Sequence, residues 1–244
     1  MKVCITGASS GIGRSLTSLL VSRGHTVWAI ARREAELKQL KEELQSNRFF
    51  YSACDVSNTG QILKVKAEMQ KNNFIPDAVV VGAAVFLDDI HPQFNITAAK
   101  QVLDINLGGA LNTVDAFLND FIKQKHGHFI ALSSIAAFRP NQRGIAYPAS
   151  KSALGILWRG LQLAHLEKNV VFSTIYLGPV ATPMWEGKKD SFLVISEKDA
   201  ANRIAKLLEK PKPIAYIPYL STAVYRLLGF LPDQWFVSLG KLIK

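Results

Sequence analysis

Residues 6–13 read TGASSGIG, and this glycine-rich run joins an apolar segment to a helical pattern. The preceding residues 2–6 are apolar and β-branched, as in a buried strand. After the run, apolar residues recur at helical spacing: Ile12, Leu16, Leu19 and Leu20. Strand and helix patterns then alternate to about Pro218. The sequence therefore predicts an α/β fold, a Rossmann-type doubly wound parallel sheet with helices on both faces.

The glycine turn is suited to hold a diphosphate. Gly7 can adopt backbone angles closed to other residues, and Gly11 and Gly13 lack the Cβ that would block a close approach. The following helix directs its free N–H groups and its positive dipole end at the turn, where an anion binds. The spacing is G-x-x-x-G-x-G, whereas the common dinucleotide motif is G-x-G-x-x-G. An ordinary strand-to-helix turn is the alternative.

Basic residues follow the second predicted strand, residues 25–31. Asp or Glu usually meets a free ribose 2′-hydroxyl there, but this chain has Arg32 and Arg33, and Arg14 follows the glycine run. Guanidinium groups grip a 2′-phosphate through paired hydrogen bonds, so NADP(H) is favoured over NAD(H). Arg32 is the stronger candidate, and Arg33 and Arg14 are alternatively surface charges.

Asp55, followed by Val56, lies where a third strand should end. Ligands of open parallel sheets bind outside the carboxyl ends of the strands. Asp55 is therefore a candidate acceptor for the adenine amino group, and a helix N-cap is the alternative.

A proton-transfer group stands beside a cation in the run Tyr147-Pro148-Ala149-Ser150-Lys151. Residues i and i+4 share a helix face, so Tyr147 and Lys151 can serve one cavity. A cation favours the phenolate and lowers a tyrosine pKa from about 10. Ser134 closes an apolar strand, and Asn106 lies inside a predicted helix, where Asn is unfavourable unless it has a polar task.

These residues together resemble the single-domain short-chain dehydrogenase/reductase family over about residues 2–218. The matching features, in order, are TGASSGIG at 6–13, Asp55, Asn106, Ser134, Tyr147 with Lys151, and LGPVAT at 177–182. The resemblance implies that Tyr147 is the general acid in reduction and the general base in oxidation. It implies that Lys151 holds the nicotinamide ribose and that Ser134 binds the substrate oxygen. It also implies that Asn106 holds a water through a local helix irregularity.

The resemblance further implies that Val180 and Thr182 contact the nicotinamide carboxamide. The chain departs from the family where Val81-Gly82-Ala83-Ala84 replaces the usual Asn-Asn-Ala-Gly, so the central sheet must be braced differently. The candidate cofactor-binding residues are Gly7, Ser9, Ser10, Gly11, Ile12, Gly13, Arg14, Arg32, Asp55, Val56, Gly82, Ala83, Tyr147, Lys151, Val180 and Thr182. No metal is expected.

Composition limits the remaining classes. The net charge is +10 at pH 7, but the basic residues are scattered and no nucleic-acid reading element is recognisable. Attraction to an anionic cofactor, substrate or membrane surface explains the charge better. Two cysteines in apolar contexts predict buried, reduced thiols. Because the first strand begins at residue 2, no cleaved signal peptide is expected and a cytoplasmic location is predicted.

The C-terminal residues 219–244 differ from the predicted catalytic domain, residues 1–218. One helical stripe carries Leu220, Val224, Leu227, Leu228 and Leu231, and a second carries Trp235, Phe236, Leu239, Leu242 and Ile243. Amphipathic helices with aromatic and basic residues suit a bilayer surface. Packing on the domain itself or on a second subunit is the alternative.

Aromatic residues are expected near the substrate mouth: Phe86, Phe138, Trp185 and Phe192. They favour an apolar or lipid-like carbonyl or alcohol as substrate. The alternatives are a reductase of small soluble ketones and a non-catalytic NADP(H)-binding sensor or scaffold. The family resemblance also implies a homodimer or homotetramer through the helices near 107–125 and 147–166.

Overall fold

The protein, seen in a computed structural model that describes residues 1–140, 144–184 and 193–235, is built on parallel strands. The strands are β1 (Lys2–Thr6), β2 (Thr26–Ala31), β3 (Phe49–Ala53), β4 (Ala78–Val81), β5 (Gly127–Ser134), β6 (Val170–Leu177), β7 (Val180–Ala181), β8 (Ile195–Ser196) and β9 (Ile214–Ile217). The α-helices are α1 (Gly11–Ser22), α2 (Glu34–Leu44), α3 (Thr59–Lys71), α4 (Ile96–Leu103), α5 (Gly109–Gln124), α6 (Ala146–Ala164), α7 (Glu197–Glu209) and α8 (Tyr219–Leu228).

The main sheet confirms the predicted doubly wound architecture. Its order is β3-β2-β1-β4-β5-β6-β9, and every pairing is parallel, while β7 and β8 form a separate pair. The chain runs outward from β1 to β3 and then crosses back to β4 on the other side of β1. This reversal opens a crevice at the carboxyl edge between β1 and β4, where open α/β sheets bind ligands.

Two apolar clusters cover the two faces of the sheet. On one face, side chains of α1, α2 and α7 pack on the strands, with Leu16, Leu37 and Ile204 fully buried. On the other face, α3, α5 and α6 pack around Phe117 and Trp158. Because helices cover both faces, the inner strands read as continuous apolar runs, and β4, with the sequence AVVV, is buried along its whole length.

Thr6 supplies the central brace that the family's asparagines would provide. Its hydroxyl donates to the Val80 carbonyl oxygen (3.4 Å) and accepts hydrogen bonds from the N–H groups of Gly82 (3.1 Å) and Ala83 (3.3 Å). A Cβ on Gly82 would lie 2.9 Å from the Thr6 carbonyl oxygen. The Gly82 position therefore joins β1 and β4 by close backbone approach and one hydroxyl.

A π-helical turn at Asp104–Gly108 joins α4 to α5 without a break in direction. This is the local irregularity that the family resemblance implied around Asn106. Asn106 is 1% exposed. Turns of this kind occur mostly as single insertions within α-helices and are frequent at functional sites.

Helix α8 turns its polar side inward. Ser221 and Thr222 are buried, whereas Leu220 and Leu227 are 66% and 70% exposed. The predicted stripe of apolar residues is therefore present, and much of it faces outward. Within the described ranges no helix is both long and apolar enough to cross a membrane. Of the second predicted stripe, only Trp235 belongs to the described residues, and the rest lies outside them.

Candidate active site

One cavity of about 1230 Å³ at the carboxyl edge of the sheet brings together most of the predicted site. All but two of the candidate residues line it, and the exceptions are Arg14 and Asn106. The predicted residues in its wall are Gly7, Ser9, Ser10, Gly11, Ile12, Gly13, Arg32, Asp55, Val56, Gly82, Ala83, Ser134, Tyr147, Lys151, Val180 and Thr182. Residues from distant parts of the chain therefore share one site.

The glycine turn at one end of the cavity is tightly built. Gly7 has a φ of +76°, and a Cβ there would lie 2.7 Å from the Ala83 nitrogen. A Cβ on Gly13 would collide with the Gly7 carbonyl oxygen. Helix α1 begins at Gly11, directly at the cavity wall. Free N–H groups of the first turn and the positive dipole end fit an anionic group such as a diphosphate.

Arg33 is the guanidinium that contacts this turn. Its Nη2 donates to the Ser9 hydroxyl (2.9 Å) and the Ser10 hydroxyl (2.7 Å). Arg32 also lines the cavity, with its Nη1 3.9 Å from an Asp55 carboxylate oxygen. The sequence favoured Arg32 and left Arg33 open as a surface charge. Both arginines line the cavity.

Arg14 differs from its expected position. It pairs with the Glu43 carboxylate at 2.6 Å and donates to the Glu36 carbonyl oxygen at 3.1 Å. These partners belong to α2, so the side chain leans across the surface of α1 and away from the cavity. The reason is helix geometry, because Arg14 follows Gly13 by one helical step of about 100° and leaves the face that meets the ligand.

Asp55 lines the cavity but does not cap α3. One of its carboxylate oxygens accepts hydrogen bonds from the Ser57 N–H (2.9 Å) and hydroxyl (2.7 Å). The N-cap of α3 is Asn58, whose side chain accepts from the Gln61 N–H at 3.1 Å. The carboxylate is thus oriented by a local turn at the cavity wall.

Ser134, Tyr147 and Lys151 meet at the other end of the cavity. Ser134 is the last residue of β5, and Tyr147 and Lys151 lie one turn apart in the first half of α6. A hydrogen bond joins the side chains of Tyr147 and Ser134. Lys151 is 4% exposed, and its Nζ donates to the Leu132 carbonyl oxygen at 2.8 Å. The three polar groups therefore form one cluster beside the carboxyl ends of β4 and β5.

The pKa of Tyr147 does not follow the expectation from the sequence. Burial raises the pKa of the phenol, and the Ser134 hydrogen bond opposes that rise. The Lys151 Nζ lies 5.6 Å from the centre of the tyrosine ring. Burial also lowers the pKa of Lys151 to about 8. Desolvation of the phenolate thus outweighs the hydrogen bond from Ser134, and the tyrosine holds its proton at neutral pH.

Asn106 lies outside the cavity wall and links two segments of the site by hydrogen bonds. Its Oδ1 accepts from the Val85 N–H (2.8 Å), and its Nδ2 donates to the Val85 carbonyl (3.0 Å) and the Ser150 hydroxyl (3.1 Å). Ser150 in turn donates to the Tyr147 carbonyl at 2.7 Å. The side chain connects the segment after β4 to α6 and does not line the cavity. Its expected role in a water path stays a prediction.

Asp89 is a residue that the sequence did not reveal. It is fully buried, and its two carboxylate oxygens accept the N–H groups of Ile145 (2.6 Å) and Ala146 (2.7 Å). These N–H groups stand at the start of α6, immediately before Tyr147. The carboxylate satisfies donors that a helix N-terminus leaves free. No local pattern in the sequence marks a cap that is 56 residues away from Ile145.

The remaining wall of the cavity is largely apolar. Phe86 packs edge-on against the Tyr147 ring, with ring centres 5.5 Å apart. Phe138 stands aside and packs on Tyr176, with centres 4.7 Å apart. Trp185 and Phe192, also expected at the mouth, lie outside the described residues. Further lining residues are Ile135, Ala136, Arg139, Pro140, Met184, Tyr225 and Asp233.

No group of three or more His, Cys, Asp or Glu side chains placed to hold a metal ion occurs in the described part of the chain. Cys4 and Cys54 are both buried, free thiols whose pKa values are raised by burial.

Comparison with known sequences gives consistent results. A sequence profile described as short chain dehydrogenase matches residues 1–191. The chain is 27% identical over 218 residues to an uncharacterised oxidoreductase of Staphylococcus saprophyticus, and the match covers 86% of this chain and 92% of that protein. It is 32% identical over 186 residues to an uncharacterised oxidoreductase of Staphylococcus epidermidis, covering 75% and 79% of the two chains.

Solved structures match the fold closely. A closed form of serine dehydrogenase complexed with NADP+ superposes with a TM-score of 0.82 at 23% identity, covering 88% of this chain and 94% of that one. A 3-oxoacyl-[acyl-carrier protein] reductase from Brucella melitensis with bound NAD gives a TM-score of 0.76 at 23% identity, covering 88% of both chains.

Proposed function

Since the chain belongs to the short-chain dehydrogenase family, we propose that it is an NADP(H)-dependent oxidoreductase that interconverts a carbonyl compound and an alcohol. The observation that carries the proposal is the hydrogen-bonded pair Ser134–Tyr147 beside Lys151, in the same cavity as the glycine turn. A proton donor and a dinucleotide cradle in one cavity are what hydride transfer to a carbonyl requires.

The residues of the cavity fit the cofactor in a defined direction. The first turn of α1 and the glycines hold the diphosphate, and Val180 and Thr182 lie at the nicotinamide end. Arg33, linked to the hydroxyls of Ser9 and Ser10, favours a 2′-phosphate and hence NADP(H). Structures of similar fold hold either NADP+ or NAD, so the preference for NADP(H) is proposed on the arginines alone. When bound, the nicotinamide supplies or accepts the hydride.

The side chains then divide the proton chemistry. Ser134 donates a hydrogen bond to the substrate oxygen and holds it beside the Tyr147 hydroxyl. Tyr147 donates its proton to that oxygen during reduction and removes it during oxidation. A phenol that stays protonated at neutral pH suits the acid role. Lys151, with a pKa of about 8, remains a cation at pH 7 and stabilises the phenolate that proton donation leaves.

Turnover by a Tyr147→Phe variant tests this assignment. The substitution keeps the ring and its packing on Phe86, so NADPH should bind with unchanged affinity while carbonyl reduction falls by at least about 100-fold. Full activity in the variant would refute the role of Tyr147. Stoichiometric NADPH binding by the unmodified enzyme with no turnover of any carbonyl would instead support the sensor or scaffold alternative.

The apolar wall near Tyr147 supports an apolar substrate. Phe86, which packs on the Tyr147 ring, lines the cavity together with Ile135, Met184 and Tyr225. A long-chain aldehyde or a ketone with an apolar chain would bury its chain there and gain about 0.8 kcal/mol per buried methylene group. Rates measured from short ketones to long-chain aldehydes test this. Activity confined to small polar ketones would support the proposed reaction class but refute the proposal of a lipid-like substrate.

We also propose that residues 219–244 touch a membrane surface. The observation in favour is the outward apolar face that α8 and the residues after it present: Leu220 (66% exposed), Leu227 (70%), Phe230 (88%) and Trp235 (65%). Exposed apolar patches of this kind mark interaction sites. A net charge of +10 favours an anionic surface. The enzyme would then act in the cytoplasm as a peripheral membrane protein.

We also propose a homodimer or homotetramer through α5 and α6, because exposed apolar residues lie on both helices. Leu111, Ile156 and Leu163 are exposed apolar residues on these two helices. Two copies of such a face would bury them in a helix bundle.

A further inference from the structure

The segment that follows Ser134 is clasped to the C-terminal extension by one arginine. Arg139 comes directly after a 3₁₀ helix, Ile135–Phe138, which itself begins after Ser134. Its Nη1 donates to the carbonyl oxygens of Leu228 (2.6 Å) and Leu231 (2.8 Å). Its Nη2 donates to the Asp233 carboxylate at 2.8 Å. Only the short 3₁₀ helix thus separates the proposed substrate-binding serine from the anchor of the tail.

The clasp lies at the C-terminal end of α8, where a cation meets the negative end of the helix dipole. Leu228 is the last residue of α8, and its carbonyl oxygen also accepts from the Leu231 N–H at 3.2 Å. The Arg139 side chain is only 10% exposed, so these hydrogen bonds are shielded from water. The Asp233 side chain is 77% exposed, and its ion pair is the weaker part of the clasp. The two carbonyls carry most of the binding.

The clasped segment forms part of the active-site wall. Tyr225, Arg139 and Asp233 all line the cavity that contains Tyr147. Tyr225 lies on α8, whose buried face near Ser221 and Thr222 packs close to Gly178. The extension therefore has two faces. Its outer face is exposed and apolar, and its inner side contributes Tyr225 and Asp233 to the cavity wall.

We propose that Arg139 is a positioning residue and that the segment it holds, residues 225–233, is the specificity-determining wall of the substrate compartment. The ligand for this wall is the apolar chain of the substrate, distant from the reacting carbonyl. The inference rests on the proposed function for the reaction, but the clasp itself does not. It assigns to the extension a role inside the active site in addition to any contact outside it.

Three variants test the proposal with NADPH and aldehydes of four and ten carbons. Arg139→Met removes the clasp, Tyr225→Ala removes the side chain of the wall, and Arg23→Met is the matched control. Arg23 makes an exposed hydrogen bond to Asn202 and does not line the cavity. We expect the first two variants to lower kcat/KM for the ten-carbon aldehyde about tenfold, with less than a twofold change for the four-carbon aldehyde and for NADPH binding.

Limited trypsin digestion gives a readout that needs no activity. Arg226 lies on α8, and releasing the clasp should speed cleavage there at least fivefold in Arg139→Met but not in Tyr225→Ala or Arg23→Met. If Arg139→Met and Tyr225→Ala both keep the chain-length preference of the unmodified enzyme, residues 225–233 do not determine specificity. If trypsin cleaves Arg139→Met no faster than the unmodified enzyme, Arg139 does not hold the segment. If the unmodified enzyme reduces no carbonyl, the proposed function fails, and the trypsin result still decides whether Arg139 holds the segment.

Discussion

The buried carboxylate of Asp89 holds the N-terminus of the helix that carries Tyr147 and Lys151. Each hydrogen bond to a charged partner contributes about 1.5–3 kcal/mol, and Asp89 makes two, to the N–H groups of Ile145 and Ala146. Removing a desolvated carboxylate returns part of that energy. We therefore expect Asp89→Ala to lower the free energy of unfolding by about 2–4 kcal/mol, a large share of the roughly 5–15 kcal/mol typical of a folded protein.

Urea unfolding followed by fluorescence measures this loss, and the neighbouring Asp88 provides a matched control. Asp88 also accepts two backbone N–H groups, from Ile90 and His91, but it does so on the surface. Asp88→Ala should therefore leave the midpoint nearly unchanged. Because Tyr147 directly follows Ala146, Asp89→Ala should also lower kcat more than it raises the KM for NADPH. Equal midpoints for the two alanine variants would refute the reasoning, since they would show that water replaces the buried carboxylate without cost.

Two further substitutions test the proposed cofactor preference and the proposed membrane contact. Arg33→Ala should raise the KM for NADPH about tenfold or more and leave the KM for NADH within twofold, because only NADPH carries a 2′-phosphate for the guanidinium to bind. Equal changes in KM for both cofactors in steady-state assays would exclude a contact between Arg33 and the 2′-phosphate. Leu227→Asp should reduce co-sedimentation with anionic lipid vesicles several-fold. Ile75 is an exposed apolar residue near the amino edge of the sheet, and the control variant Ile75→Asp should not change co-sedimentation. Vesicle binding that is insensitive to Leu227→Asp would argue against contact between α8 and a membrane surface.

The parts of the fold set by local pattern were predictable from the sequence. The strand at 2–6, the glycine turn and the helix after it follow from side-chain periodicity and from the backbone freedom of Gly7. Tyr147 and Lys151 could be placed on one face because helix geometry fixes their spacing. These local rules, together with the order of the motifs, located the cavity at the carboxyl edge.

Contacts between distant segments were not predictable. The sequence favoured Arg32 over Arg33, but Arg33 is the residue that contacts the Ser9 and Ser10 hydroxyls. Arg139 looks like a loop arginine until α8 is seen to end beside it. The pKa of Tyr147 depends on how completely the folded chain excludes water, and that quantity has no local signature.

Helix α8 shows how a correct pattern can point the wrong way. Periodicity identifies a stripe with Leu220 and Leu227, and such a stripe usually faces the core. Here the small hydroxyl residues Ser221 and Thr222 are buried instead, where Gly178 allows a close approach. Thr222 satisfies its hydroxyl by donating to the Pro218 carbonyl at 2.7 Å. Small polar side chains can thus replace large apolar ones wherever two backbones come close.

The π-helical turn at Asp104–Gly108 makes the length of this stretch matter more than its composition. A turn with one surplus residue shifts the phase between α4 and α5 by about 100° relative to an unbroken α-helix. Deleting any single residue there would restore regular geometry and swing Asn106 or Val102 out of the interior. A substitution at the partly buried Leu107 would leave the phase intact. Among related sequences, insertions and deletions should therefore be excluded from this stretch even where its residues vary freely.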